Sequence, residues 1–510
     1  MQDTIPGLVA AAADRDPDRL WVRADGAELT FGQVAARVGA AAGRVHEMGV
    51  RQGDLVVVTS RTTPPYLLTW LALATLGAVT VATNPAGTSS ELSGLVRQTR
   101  PRLIVTDPGL MPMLARVGAT AELGVVDVAD VVAGEPSTTA YDVVLRSTVT
   151  PDDLAVLIPT SGTTGRSKLV MQTHRAYAWA GEGFPHWMGL RQDDVLMTSL
   201  PLFHINAQAY STMGSLACGA GLVLLPRFSA SGLLGSARRY GATEFNAIGA
   251  MLEILMRQPE RDDDADNPLR LCYTGPSPTR ERQEAMERRF GIEIICGYAM
   301  SETPYGLIWP RGKRMFGTLG TVRQHPRLGT VSYARVVDDG GTEVSVGDTG
   351  ELLLRNPVVT PGYWEMPEET ALAIKDGWLH TGDLVTVNAD SSYTFVSRQK
   401  EVLRWRGENL SPQEVEDAIE SHSSVLECAV LGVPSDLSED DIKAFVVAVD
   451  GGQLDFAQLR DWAGERLTAF KVPRFWQQLE SLPRTSTARI AKHRLPDGHP
   501  EDEYDAEAAQ

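Results

Sequence analysis

A chain of 510 residues exceeds the size at which one hydrophobic core stops growing, so two or more domains are expected. Its 43% hydrophobic and 22% charged residues lie in the ordinary soluble range, and a formal net charge of -18 disfavours a nucleic-acid partner, which needs a basic face. Cys218, Cys272, Cys296 and Cys428 are scattered, with no CxxC pair and no histidine cluster, which excludes an evident zinc site or disulfide framework and fits a reducing cytoplasm.

The opening "MQDTIPGLVAAAADRDPDRL" has neither the basic region nor the long apolar run of a signal peptide and reads as a short amphipathic helix, so a cytoplasmic protein is expected. "LLTWLALATLGAVTVAT", residues 67–83, is short for a membrane span and broken by Thr and Gly; it predicts a buried helix turning into a strand, without stable membrane insertion.

Up to about residue 395, apolar runs such as "DLVVVTS", "RLIVTD", "DLAVLIPTS" and "LRLCYTG" alternate with helical stretches, the pattern of a large multilayer α/β domain with largely parallel sheet. After it, "SPQEVEDAIESH" predicts a helix entered through Ser and Pro, followed by the strands "VLECAVLGVP" and "DDIKAFVVAVD". The expected division is an N-terminal domain over 1–397, a hinge at 398–400, a smaller mobile α+β domain over 401–495, and an acidic tail over 496–510 that is expected to be disordered.

"IPTSGTTGRSKLV", residues 158–170, places Thr160, Ser161, Gly162, Thr163, Thr164 and Gly165 after an apolar strand, with Lys168 three positions beyond the second Gly. Glycines let backbone N–H groups converge, hydroxyls add donors and Lys adds charge, which is the chemistry of a polyphosphate cradle. GxxxxGK[ST] is absent, so this is not a Walker A loop, and alone the stretch would read as an ordinary surface loop.

Its companions, in order, are "GYAMSET" at 297–303, "GWLHTGD" at 377–383, "SRQKEVLRWRGENLSPQEVE" at 397–416 and "LPRTSTARIAK" from 482. The ordered set resembles the acyl-adenylate-forming superfamily of acyl-CoA synthetases, adenylation domains and luciferases, over nearly the whole chain. Within it, "PLFHINAQAYS", "RGENLSPQEVE" and "KVPRFW" look more like the crotonobetaine/carnitine and related acyl-CoA ligases than like peptide-synthetase domains.

The resemblance implies that Tyr298 stacks on adenine with Gly275, Pro276 and Ser277 as the other wall, that Ser301 meets phosphate, and that Glu302 helps hold Mg²⁺. It implies further that Asp383 binds the ribose hydroxyls with support from Arg398, and that His204, Asn206, Gly249 and Met300 border the acyl pocket. Lys400 would mark the hinge, while Gly407, Glu408 and Asn409 would line the path of the CoA thiol.

The basic segment departs from the family pattern LP[KR]TxxGK: Ala488 stands for the Gly and Arg489 for the Lys. The family's lysine stabilises charge on the reacting oxygens, a task that arginine can keep electrostatically, although its planar fork is not a slim ammonium. Lys492, three residues on, is a second candidate, and the sequence leaves the choice open.

The implied activity is ATP- and Mg²⁺-dependent activation of an organic acid as acyl-AMP, with release of pyrophosphate, and transfer of the acyl group to CoA. Two alternatives stand beside it: a diazotase that activates nitrite with ATP to convert an aryl amine, and a non-catalytic nucleotide-binding homologue. A small-molecule acid is the expected partner, and the sequence leaves the oligomeric state open, a homodimer included.

Overall fold

The computed structural model describes residues 3–117, 121–134, 147–160, 167–275, 277–399, 403–405, 408–410, 412–434, 440–468, 471–484, 490–496 and 503–506. The chain divides into two compact units, one of 1–334, 354–379 and 391–393, the other of 335–353, 380–390 and 394–510. The expected hinge at 398–400 falls within the last piece of the second unit.

The first unit holds two sheets with much parallel pairing, as the alternating pattern predicts. One runs in the order Val125–Asp127, Leu103–Thr106, Leu55–Thr59, Val79–Ala82, Leu154–Thr160, Lys168–Thr173, parallel throughout except for its last pair. Strands Leu103–Thr106, Leu55–Thr59 and Val79–Ala82 are buried along their whole length, which explains why they read as continuous apolar runs and not as alternation.

The stretch 67–83 behaves as expected. Helix Pro64–Leu76 starts on Thr63 and Pro64, buries nearly every side chain, and stops at Gly77, whose φ of 76° a side chain would strain; strand Val79–Ala82 follows. Among the described residues no helix is long and apolar enough to cross a membrane.

The second sheet has nine strands, and its centre is parallel: Gly221–Leu224, Val195–Thr198, Glu244–Asn246, Leu271–Thr274 and Glu293–Met300 all point the same way. Loops leaving their carboxyl ends are where ligands bind in open α/β sheets. His204, Gly249, Gly275 and Ser277 all lie just beyond such ends.

The opening helix, Ile5–Arg15, is capped by Thr4 and buries Ile5, Leu8, Val9 and Ala12. Ile5 N–H donates to Nδ1 of His174, 3.4 Å away, so the ring proton sits on Nε2. His174 is fully buried, and burial lowers its pKa to about 4, against a smaller raising pull from Asp153.

Because that folded value lies below the unfolded 6.5, protons favour the unfolded chain. Stability is therefore intact above pH 6.5 and lost as pH falls toward 4, by about 3 kcal/mol. Denaturant titrations at pH 7 and 4.5 are expected to show that loss in the parent and a shallower one in His174→Asn.

The second unit contains a four-stranded sheet in the order Val425–Pro434, Asp440–Ala448, Phe475–Gln478, Tyr504–Asp505. Helices Pro412–Glu420 and Phe456–Gly464 supply Val415, Ile419 and Leu459 to a core that includes Val430, Ala444 and Trp476. This is the expected α+β unit.

Disorder throughout 496–510 is not what the structure has. Tyr504–Asp505 adds an antiparallel edge strand to Phe475–Gln478, and Ala506 N–H donates to the Arg474 carbonyl at 2.9 Å. Glu503 reaches Lys443 Nζ at 2.6 Å with both side chains buried. Composition marked the segment as polar, but its charges have opposite partners waiting on the sheet, Lys443 for Glu503 and Arg474 for Asp505.

Candidate active site

Strands Leu154–Thr160 and Lys168–Thr173 form an antiparallel pair that closes on Thr160 and Lys168, with the Thr160 hydroxyl donating to the Lys168 carbonyl at 3.3 Å. The glycine-rich stretch lies between these two strands in sequence. Of its expected contacts, Ser161, Gly162, Thr163, Thr164 and Gly165 lie outside the described residues, as do Pro276, Lys400, Gly407 and Arg489. Lys168 Nζ sits 4.6 Å from the centroid of the Tyr363 ring and makes no ion pair among the described residues.

Met300 pairs with Thr303, so Ser301 and Glu302 are the two-residue turn of a second hairpin, not a helix cap. The turn is pinned from both sides: the Gln172 amide donates to the Ser301 carbonyl, and Thr360 N–H donates to the Glu302 carbonyl at 2.7 Å. The Glu302 carboxylate is buried and accepts the Tyr363 hydroxyl at 2.9 Å. Burial, with the Glu302 charge beside it, pushes the Tyr363 phenol well above its ordinary pKa, so it stays a donor.

Among the described residues no cluster of three or more His, Cys, Asp or Glu could cage a metal. A single buried carboxylate nevertheless fits Mg²⁺, which takes most of its ligands from nucleotide phosphates and water and needs one or two carboxylates from protein. Glu302 is the residue that would hold it.

Tyr298 is half-buried near the carboxyl end of strand Glu293–Met300, its hydroxyl 3.8 Å from Met300 Sδ. Two glycines permit its position: a Cβ at Gly275 would strike the Gly297 carbonyl, and one at Gly306 would strike that of Tyr298. Ser277 Oγ accepts Gly317 N–H at 3.2 Å, which ties the expected second wall to the loop beyond Trp309.

His204 packs edge-on against Phe203, ring centroids 4.5 Å apart, ahead of a π-helical turn, Asn206–Thr212. Asn206 Oδ1 accepts the buried Asn246 amide at 2.6 Å, joining the expected acyl wall to the end of the neighbouring strand. Gly249 opens helix Gly249–Met256 just beyond that strand. His204, Asn206, Gly249 and Met300 thus all stand at the carboxyl edge of one sheet, or just beyond it.

One residue that sequence reading missed ties this wall together. Arg323 is fully buried and has no carboxylate partner among the described residues; it donates to the hydroxyls of Tyr210 and Tyr273 and to the carbonyls of Pro304 and Leu307, against the Trp187 ring. A lone Arg in "TVRQHPR" carries no signal of this.

In the second unit, Asp383 is buried on strand Trp378–Val387, and Arg398 Nε lies 3.1 Å from its Oδ1. Gly382 takes φ +68°, which explains the Gly of "HTGD", and its N–H donates to Glu351 Oε1 at 3.0 Å, while Glu351 Oε2 meets His380 at 2.8 Å. The expected ribose carboxylate and its supporting arginine are therefore brought together.

Glu408 and Asn409 lie on a short strand, Glu408–Leu410, paired with Leu403–Trp405. Lys492 opens a 3-10 turn, Lys492–Arg494, and its Nζ lies 2.7 Å from Glu416 Oε1, which also accepts Val430 N–H at 2.8 Å. Both side chains are largely buried, so this lysine already neutralises a carboxylate within its own unit.

A half-buried lysine beside a turn that presents one buried carboxylate has the chemistry to handle a nucleoside triphosphate and its metal. The chain belongs to the AMP-binding enzyme family: that family's model matches residues 9–364, and its C-terminal domain matches 414–489. It is an AMP-forming ligase of the acyl-CoA synthetase type.

The chain is similar to the crotonobetaine/carnitine–CoA ligase of Salmonella arizonae, 30% identical over 489 residues that cover 92% of this chain and 93% of the relative. The Salmonella typhi enzyme of the same name is 29% identical over 491 residues, 92% and 93% of the two chains. Among solved structures, ATP-bound MatB from Rhodopseudomonas palustris matches with a TM-score of 0.87 at 27% identity, covering 97% of this chain and 98% of that one.

Proposed function

We propose that the protein activates a small organic acid with ATP and joins it to CoA. A carboxylate oxygen attacks the α-phosphorus and pyrophosphate leaves; the CoA thiol, giving up its proton, then attacks the acyl carbon, and the anhydride bond breaks to release AMP. The observation that carries this reading is that both family domains are present and the match to CoA ligases runs nearly end to end.

In this reading Thr160, the 161–165 loop and Lys168 hold the phosphates, and Ser301 adds a hydroxyl. Glu302 would hold the metal, which would supply charge neutralisation at the phosphates. Tyr298 carries the adenine, Asp383 and Arg398 the ribose, and His204, Asn206, Gly249 and Met300 face the acyl chain, with the hinge at 398–400 and the second domain from 401.

Arg489 is the cation at the reacting oxygens, because Lys492 is engaged by Glu416. A cytoplasmic place of action belongs to the same reading and is supported by four cysteines that are all free.

The test is ATP-dependent pyrophosphate release over short, branched, carnitine-like and aromatic acids with CoA, and over nitrite with aminobenzoates. Release with a carboxylate and appearance of its CoA thioester are expected. Release with nitrite and amine alone would replace the proposal by the diazotase, and no release with any pair would leave a nucleotide-binding homologue.

A further inference from the structure

The geometry points to Tyr363 as the positioning residue of the phosphate site: its ring seats the Lys168 ammonium, and its hydroxyl holds the Glu302 carboxylate, so the two charges stay apart and both face the nucleotide. The inference rests on the adenylation reading above.

Three residues far apart in sequence meet here through one short segment, 360–364. Its backbone is bonded to both partners' elements: Thr360 N–H to the Glu302 carbonyl at 2.7 Å, Met171 N–H to the Gly362 carbonyl at 3.0 Å, and Trp364 N–H to the Leu169 carbonyl at 2.9 Å. The Tyr363 N–H is itself held by Thr370 Oγ1 at 2.9 Å.

Gly362 allows this path with φ +138°, and a Cβ there would collide with Thr370. The segment therefore fixes the Tyr363 backbone independently of its ring and hydroxyl contacts. Its ring then has a cation 4.6 Å from its centroid and a carboxylate 2.9 Å from its oxygen.

A tyrosine buried for packing alone would be satisfied by any backbone carbonyl. This one instead spends its donor on the carboxylate that fits the metal, while its π-face takes the lysine that fits the phosphates. Without the ring between them, a lysine and a glutamate so placed could close on each other and cancel the charges that the nucleotide and its metal need.

The test uses the whole protein with α,β-methylene-ATP, which cannot be cleaved at the bond in question, and Mn²⁺ as the metal probe read by electron paramagnetic resonance. Tyr363→Phe keeps the ring and removes the hydroxyl, so Mn²⁺ affinity in the presence of the analogue is expected to fall about tenfold, the lower end of the range for residues that orient a metal ligand. Analogue binding in EDTA is expected to stay within twofold.

Tyr363→Leu removes the perch of Lys168 as well, and weaker analogue binding in EDTA is expected. In a Glu302→Gln background, Tyr363→Phe is expected to add nothing further. Mn²⁺ affinity of Tyr363→Phe within twofold of the parent, or a fully additive loss in the Glu302→Gln background, would overturn the inference while leaving the adenylation reading intact. A parent protein that binds no analogue at all would sink the adenylation reading itself.

Discussion

Arg489→Ala is expected to slow adenylation by about 10²–10³-fold, the usual loss when one fixed donor to a developing oxyanion is removed, with little change in thermal stability. Lys492→Ala is expected to show the reverse. Its ammonium neutralises Glu416, so its removal leaves a buried carboxylate without that cation and costs about 1–3 kcal/mol of stability, while the rate changes by less than about tenfold.

Single-turnover pyrophosphate release and thermal melts on the two variants decide between the residues. Arg489→Lys supplies the slim ammonium of the family pattern and is expected to retain adenylation, since the task is electrostatic and needs no proton transfer. If Lys492→Ala abolishes adenylation at unchanged stability, Lys492 and not Arg489 is the cation.

Glu503→Ala is expected to destabilise the second unit by about 3–5 kcal/mol, because Lys443 would be left as a charge with no exposure to water. The loss reaches further than one pair: Glu503 leads into the edge strand Tyr504–Asp505, whose Asp505 meets Arg474 Nη2 at 3.1 Å and whose Tyr504 ring lies 5.9 Å from that of Phe456. Limited proteolysis and calorimetry are expected to show the second unit opening first.

Replacing both partners, Lys443→Met with Glu503→Leu, is expected to restore much of that stability, since a well-packed apolar pair costs no desolvation of charge. A Glu503→Ala protein that melts within about 1 kcal/mol of the parent would show that the tail contributes nothing to the unit.

The fold class was legible because it depends on local pattern. Buried parallel strands read as unbroken apolar runs, and capping residues such as Thr63 and Gly77 mark where a helix starts and stops. Asp383 and Arg398 were named as a pair through the family resemblance that "HTGD" and "SRQK" carry, while the turn at Gly382, with its positive φ, is local to the motif.

Tyr363 was not legible. It is one aromatic in "PGYWE", and its role depends on Glu302, 61 residues earlier, and on Lys168, which reach it because strand pairing carries their segments together. Arg323 was missed for the same reason, since nothing near it in sequence foretells a guanidinium enclosed by Tyr210, Tyr273 and two carbonyls. Within the tail, the strand Tyr504–Asp505 was not foreseen, because composition counts charges without their partners.

By itself, then, the sequence determined the alternation of strands and helices, which follows from residue periodicity and turn propensity within a few positions, and the order of the nucleotide motifs, which pointed to the family through resemblance. Tertiary structure decided which charges are neutralised and which stay available: Lys492 on Glu416, Lys443 on Glu503, and Lys168 held on a ring with no ion pair among the described residues. That division has a physical cause, because the strength of an ion pair depends on burial and approach distance, and both are set by how distant segments pack.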